Sequence, residues 1–136
     1  MYYTIKQVSE MTGLTEHTLR FYTDRKLVPC KRDGANRRVF DDESLNWLEG
    51  VICLRKCGVS IEDISAYCNL CREGNGTLEE RYRFMLKQRD YAYQQLKEAR
   101  ELVEYMERKV AHYEDVIAGK AADDTNPATQ TISKCD

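Results

Sequence analysis

"TIKQVSEMTGLTEHTLRFYTDRKLVP", residues 4 to 29, decides the fold of this chain. Thr4 can cap a short helix that keeps Ile5, Val8 and Met11 on one face. That helix stops at Thr12-Gly13, where glycine supplies the turn. Thr15 is a second cap, opening a helix with Leu19 and Tyr22 turned inward and Phe21 a candidate to join them. Two short amphipathic helices joined by a Gly-containing turn are the sequence form of a helix-turn-helix. Pro29 closes the second helix.

Outward from this hairpin, residues 30–40 (CKRDGANRRVF) hold an Asp-Gly turn between a basic arm and a short apolar-basic run, which predicts a small two-stranded wing. A third helix opens near Asp41 or Asp42, buries Leu45, Trp47, Leu48 and Ile52, and ends at Gly58. Ser60 with Asp63 three residues on resembles a capping box for a fourth helix with Ile61, Ile64 and Tyr67 inward. Residues 72–76 are a Gly-rich break. Thr77-Leu-Glu-Glu80 then reads as a further capping box, and no Gly or Pro interrupts the chain until Gly119.

A helix of that length spans roughly 60 Å, too long to be covered by so small a domain. Its apolar positions, Leu78, Tyr82, Met85, Ala92, Leu96, Ala99, Val103, Met106, Val110, Tyr113 and Ile117, alternate spacings of four and three with Arg89 as the break. This is a coiled-coil seam, and a homodimer is expected because the stripe has nothing else to pack on. The expected fold is therefore mostly α: a winged helix-turn-helix domain with a two-helix extension over 1–72, a coiled-coil dimerisation helix over 77–119, and a disordered tail over 120–136.

The 136 residues carry a net charge of −2, but charge is unevenly placed. Residues 16–40 hold seven bases (Arg20, Arg25, Lys26, Lys31, Arg32, Arg37, Arg38) against three acids, a basic patch suited to phosphates. No apolar run is long enough to cross a bilayer and no signal peptide opens the chain, so a cytoplasmic protein without membrane partners is expected. In that compartment Cys30, Cys53, Cys57, Cys68, Cys71 and Cys135 stay reduced, which leaves burial, metal binding or reactivity as their roles. No Ser-His-Asp set, phosphate loop or carboxylate pair at catalytic spacing is present, and an enzyme is not expected.

The order of elements, with "TLRFYTDRKLVP" at 18–29, resembles the MerR family of bacterial transcription regulators. Thr18, Leu19, Arg20, Tyr22, Leu27, Pro29, Arg38, Phe40, Gly58 and Ile64 carry the resemblance, over residues 2 to about 118. It implies a regulator that binds double-stranded promoter DNA as a homodimer, distorts it, and so acts on RNA polymerase indirectly, with no cofactor. By position, His17 and Thr18 would lie nearest base edges, with Arg20, Tyr22 and Arg38 on phosphates and Phe21, Arg32, Arg37 and Phe40 completing the surface. Tyr22 is equally open to a core role. Phe21 and Phe40 stand where the family often has Tyr, which puts two hydroxyl contacts in doubt. Lys26 replaces a common helix-ending Gly; a left-handed backbone there costs about 1 kcal/mol.

Only a short tail follows Gly119, and no cysteine lies between Cys71 and Cys135, so neither a drug-binding domain nor the usual metal loop is expected. "WLEGVICLRKCGVSIEDI" at 47–64 followed by "LCREGNGTLEER" at 70–81 resembles instead the thiol-based branch answering aldehydes and other electrophiles, which implies Cys53 as the sensor. Lys56 one turn on favours its thiolate, whereas the helix C-terminus opposes it. Cys57 is expected to be buried. The alternatives are a metal- or redox-sensing regulator, for instance with zinc on Cys53, Cys57, Cys68 and Cys71, and, in a different class, a coiled-coil adaptor that binds no DNA.

Overall fold

The computed structural model describes residues 1–129, and the expectations for Cys135 and the end of the tail lie outside them. The elements run β1 (Tyr3–Thr4), α1 (Ile5–Thr12), α2 (Glu16–Asp24), β2 (Lys31–Arg32), β3 (Arg38–Phe40), α3 (Asp42–Lys56), α4 (Ile61–Glu73), a 3-10 turn (Asn75–Thr77) and α5 (Leu78–Ile117). Mostly helical, with a winged helix-turn-helix at its N-terminus and a 40-residue helix behind it, the chain has the expected fold class. It divides into two compact units that meet within α5, between Arg89 and Asp90.

In the first unit the caps act as the sequence predicts. Thr4 Oγ1 accepts from Gln7 N at 3.1 Å while the Gln7 side chain accepts from Thr4 N at 2.9 Å, a reciprocal box. Gly13, at φ 77°, ends α1, and Thr15 Oγ1 accepts from Thr18 N at 3.1 Å to start α2. α2 closes in a Schellman turn, with Lys26 N donating to Thr23 O at 3.1 Å and Leu27 N to Tyr22 O at 3.0 Å. The residue held left-handed there is Lys26, at φ 59°. Leu27 and Val28 follow into the core, joining Val8, Leu19, Phe40, Leu48, Val51, Val59 and Ile64. Fully burying an apolar side chain of this size contributes about 1.5–3 kcal/mol.

Several expectations are corrected. Met11 and Phe21 are exposed rather than inward. The wing has three strands, not two: β1 pairs antiparallel with β3, Tyr3 opposite Phe40 and Thr4 opposite Val39, and β3 also pairs with β2. On α3 the inward line is Ser44, Leu48 and Val51, with Leu45, Trp47 and Ile52 only half-buried. Ser44 can lie on that line because the Asp41 carboxylate, which caps α3, accepts both its N–H at 2.9 Å and its hydroxyl at 3.0 Å. Those Ser44 bonds, with Lys31 3.2 Å away, hold the Asp41 carboxyl down at about 2.

Thr77 forms no capping box. Its hydroxyl donates back to the Leu70 and Gly74 carbonyls, 2.7 Å each, and accepts from Arg81 Nε at 3.1 Å, so the residue is buried as a latch between α4 and α5. Phe84, in the first turns of α5, stacks on Tyr67 with ring centroids 5.0 Å apart.

In the second unit, α5 leaves Leu96, Val103, Met106, Val110, Tyr113 and Ile117 exposed. Gly119, at φ 75°, turns the chain, with Lys120 N donating to Asp115 O at 2.8 Å. Beyond it Thr125 lies beside Tyr105, Lys109 and His112, and His112 Nε2 lies 3.0 Å from Asp124 Oδ1.

Candidate nucleic-acid interface

α1 and α2 pack through Val8, Leu19 and Tyr22, which fixes α2 with its first turn at the surface. There His17 is exposed, Thr18 is half-buried with its hydroxyl 2.9 Å from that of Thr15, and Arg20 is exposed with Glu16 3.8 Å away. Phe21, 40% exposed, stands on the same face, and the Arg25 guanidinium lies 5.4 Å from its ring centre.

The wing is tied to α2 by Arg38. Its side chain is only 17% exposed; Nη2 donates to Asp24 Oδ1 at 2.7 Å and Nε to Thr23 Oγ1 at 3.1 Å. A guanidinium presents its donors in a rigid fork, so this contact fixes the angle as well as the distance between wing and helix. Arg32 Nη1 donates to Asn36 O at 3.0 Å, and Arg37 Nε lies 3.2 Å from Asp33 Oδ2. The wing turn is built by Asp33, whose Oδ1 accepts from the N–H groups of Ala35 and Arg37 at 2.9 Å each, while Asn36 takes the left-handed conformation at φ 61°. The Arg37 N–H bond, ahead of the others, holds the Asp33 carboxyl below its ordinary value.

These residues meet in one cavity of about 370 Å³, where the N-terminus of α1 contributes Thr4, Ile5 and Lys6, α2 contributes Arg20, and the wing contributes Arg32, Asp33, Asn36, Arg37 and Arg38. Five cations against one carboxylate make an anion-binding concavity, and the first turn of α1 adds its positive dipole end. Lys6 was missed by sequence reasoning. The missing signal was β1, two residues too short to recognise, which pairs with β3 and so brings residues 4–6 beside the wing.

Two predicted contact residues lie elsewhere. Phe40 is 0% exposed, at the centre of the core among Val8, Leu19 and Leu48, and its place on a DNA surface is corrected. Tyr22 is 6% exposed and packs with Leu19 in the core, leaving little surface for a phosphate.

The cysteines scatter. Cys53 is exposed on α3, and Cys57, expected to be buried, is exposed too, because it caps the helix end just before Gly58 turns the chain. Cys68 is buried with its thiol 3.8 Å from the Leu27 carbonyl, and burial pushes that thiol up. Cys71 is half-buried. No cluster of three or more His, Cys, Asp or Glu able to hold a metal occurs among the described residues, and no helix among them is long and apolar enough to cross a membrane.

A helix-turn-helix whose second helix and wing share a cationic groove defines a winged helix-turn-helix protein. Residues 3–71 match the model of the MerR HTH family regulatory proteins, and the chain belongs to that family. It is 33% identical to an uncharacterized HTH-type transcriptional regulator of Haemophilus influenzae, over 87% of this chain and 88% of that protein. It is 38% identical to the HTH-type transcriptional regulator AdhR of Bacillus subtilis, over 62% of this chain and 61% of AdhR. The crystal structure of HiNmlR, a MerR family regulator lacking the sensor domain and bound to promoter DNA, superposes with a TM-score of 0.74 at 33% identity, covering 87% of this chain and 90% of that one.

Proposed function

We propose that this chain is a homodimeric transcription regulator that binds double-stranded promoter DNA through α2 and the wing, distorts it, and answers an aldehyde or related electrophile at Cys53. The observation that carries the DNA reading is the groove of Lys6, Arg20, Arg32, Arg37 and Arg38, with the solvent-facing start of α2 beside it. HiNmlR, of similar fold over most of its length, was crystallised on promoter DNA, which supports the same partner here. In this reading phosphate contacts from the arginines set register, and His17 and Thr18 meet base edges.

Dimerisation is supported by the apolar stripe of α5, whose members from Leu78 to Ile117 stay exposed in the single chain. Such a run of large side chains at heptad spacing calls for a second helix. Val103→Glu with Val110→Glu should convert a dimer in sedimentation equilibrium to a monomer; a wild-type chain sedimenting as a monomer at micromolar concentration overturns this part.

Cys53 is exposed, one turn before the exposed Lys56, and so is open to reagents. Gel shifts against salt test the DNA reading, since about six phosphate contacts cost roughly a thousandfold in affinity between 50 and 200 mM salt. A coiled-coil adaptor would bind no duplex. The sensor reading fails if Cys53→Ala leaves promoter activation by aldehyde intact.

A further inference from the structure

Between α3 and α4 lies a second cavity, of about 230 Å³, that the DNA surface does not use. Trp47, Gly50 and Leu54 line it from α3 and Tyr67, Cys68 and Cys71 from α4, and most of the wall is apolar. A dry apolar cavity of roughly 150 Å³ accommodates benzene, so this one has room for an aromatic ring with a short substituent. Cys53 and Cys57 do not line it.

We propose that this cavity takes a small, apolar α,β-unsaturated carbonyl compound and that Cys71 captures it covalently. Tyr67 and Cys71 line the same cavity, and the Tyr67 ring is fixed by its stack on Phe84. Burial first, and then Cys71, keep the phenol protonated above its ordinary value, so it is a donor at neutral pH. The Arg72 guanidinium lies 5.1 Å from the Trp47 ring centre. Cys68 is the weaker nucleophile, being buried with its thiol pushed up.

In the capture step the Cys71 sulfur bonds to the β-carbon and the alkene π pair moves toward the carbonyl to give an enolate, whose oxygen accepts a hydrogen bond from Tyr67. The proton lost by the thiol ends on the α-carbon. Nothing is oxidised or reduced, and the apolar wall favours the hydrophobic tail of such a compound over a small polar alkylator.

The test uses the full chain, one equivalent of cinnamaldehyde or of iodoacetamide, and tandem mass spectrometry to place each adduct. Cinnamaldehyde should modify Cys71 first, although Cys53 and Cys57 are more exposed, while iodoacetamide should follow exposure. Gly50→Leu adds a side chain at the cavity wall, at a helix position where an added Cβ meets nothing within 4 Å. Tyr67→Phe keeps the stack and removes the donor. Each should slow cinnamaldehyde capture at Cys71 about tenfold, the effect of losing one transition-state contact, and leave iodoacetamide labelling of Cys57 unchanged. Cinnamaldehyde labelling led by Cys53 or Cys57, or an unchanged Cys71 rate in either variant, overturns the proposal. Cinnamaldehyde labelling led by Cys53 overturns this proposal and leaves the Cys53 sensor reading standing, and the Cys53→Ala promoter assay tests that reading on its own.

Discussion

Arg32→Ala isolates the part of DNA binding that the groove is asked to supply. Arg32 is exposed, lies on β2 opposite Arg38 and lines the cavity, with Nη1 donating to the Asn36 carbonyl, while the wing turn is also built by the Asp33 bonds to Ala35 and Arg37. In the proposed dimer the substitution removes one phosphate contact from each protomer. Each contact contributes about 0.9 to the slope of log affinity against log salt, so the slope should become shallower by about 1.8. Over the fourfold range from 50 to 200 mM salt, that amounts to roughly a twelvefold smaller loss of affinity than the parent protein shows. Fluorescence anisotropy with a labelled promoter duplex, at four or more salt concentrations, reads it directly. Binding should weaken by a similar factor on the promoter and on a random duplex, since phosphates carry no sequence. An unchanged slope refutes the contact, and weakening confined to the promoter would make Arg32 a base reader instead.

Other perturbations address the scaffold that aims this groove. With its folded value at about 2 against an ordinary 3.8, Asp41 binds fewer protons folded than unfolded, so its contribution is complete above about pH 4 and disappears as pH falls toward 2. Asp41→Asn should therefore flatten the fall in stability across that window, as read by circular dichroism in urea at each pH; a steeper fall contradicts the capping geometry. Phe40→Ala should cost about 3–5 kcal/mol in denaturant unfolding, and DNA affinity per folded molecule should stay unchanged, whereas an affinity loss without destabilisation would restore Phe40 to the DNA surface. Lys26→Gly relieves a left-handed lysine and should raise stability by up to about 1 kcal/mol, seen as a higher urea midpoint. A lower one would mean that the Lys26 side chain contributes more than its backbone strain costs.

Much of the fold was legible because local chemistry and burial agree. Thr4, Thr15 and Ser60 cap the helices the sequence assigned to them, and Gly13, Gly58 and Gly119 turn the chain where they fall. Readings failed where a short polar side chain serves a tertiary partner. Thr77 has the spacing of a cap, yet its hydroxyl turns back to share its one hydrogen between the Leu70 and Gly74 carbonyls, which latches the start of α5 to the end of α4. Ser44 was passed over as a polar residue on a helix face, although Asp41 three residues earlier could satisfy it.

The site divides along the same line. Arg20, Arg32, Arg37 and Arg38 could be collected from sequence because charge clustered over a short stretch survives any detail of packing. Lys6 could not, since it reaches the groove only through a two-residue strand paired across the wing. Phe40 marks the opposite error: the resemblance carried it to the surface by position, but its ring is drawn inward by its apolar area, whereas Tyr22, inward by the helix pattern and a phosphate contact by the resemblance, packs in the core. The thiols follow that logic as well: Cys53 drew notice by its neighbours in sequence, whereas Cys71 is distinguished by Trp47, Gly50 and Tyr67, which meet it only after α3 and α4 pack.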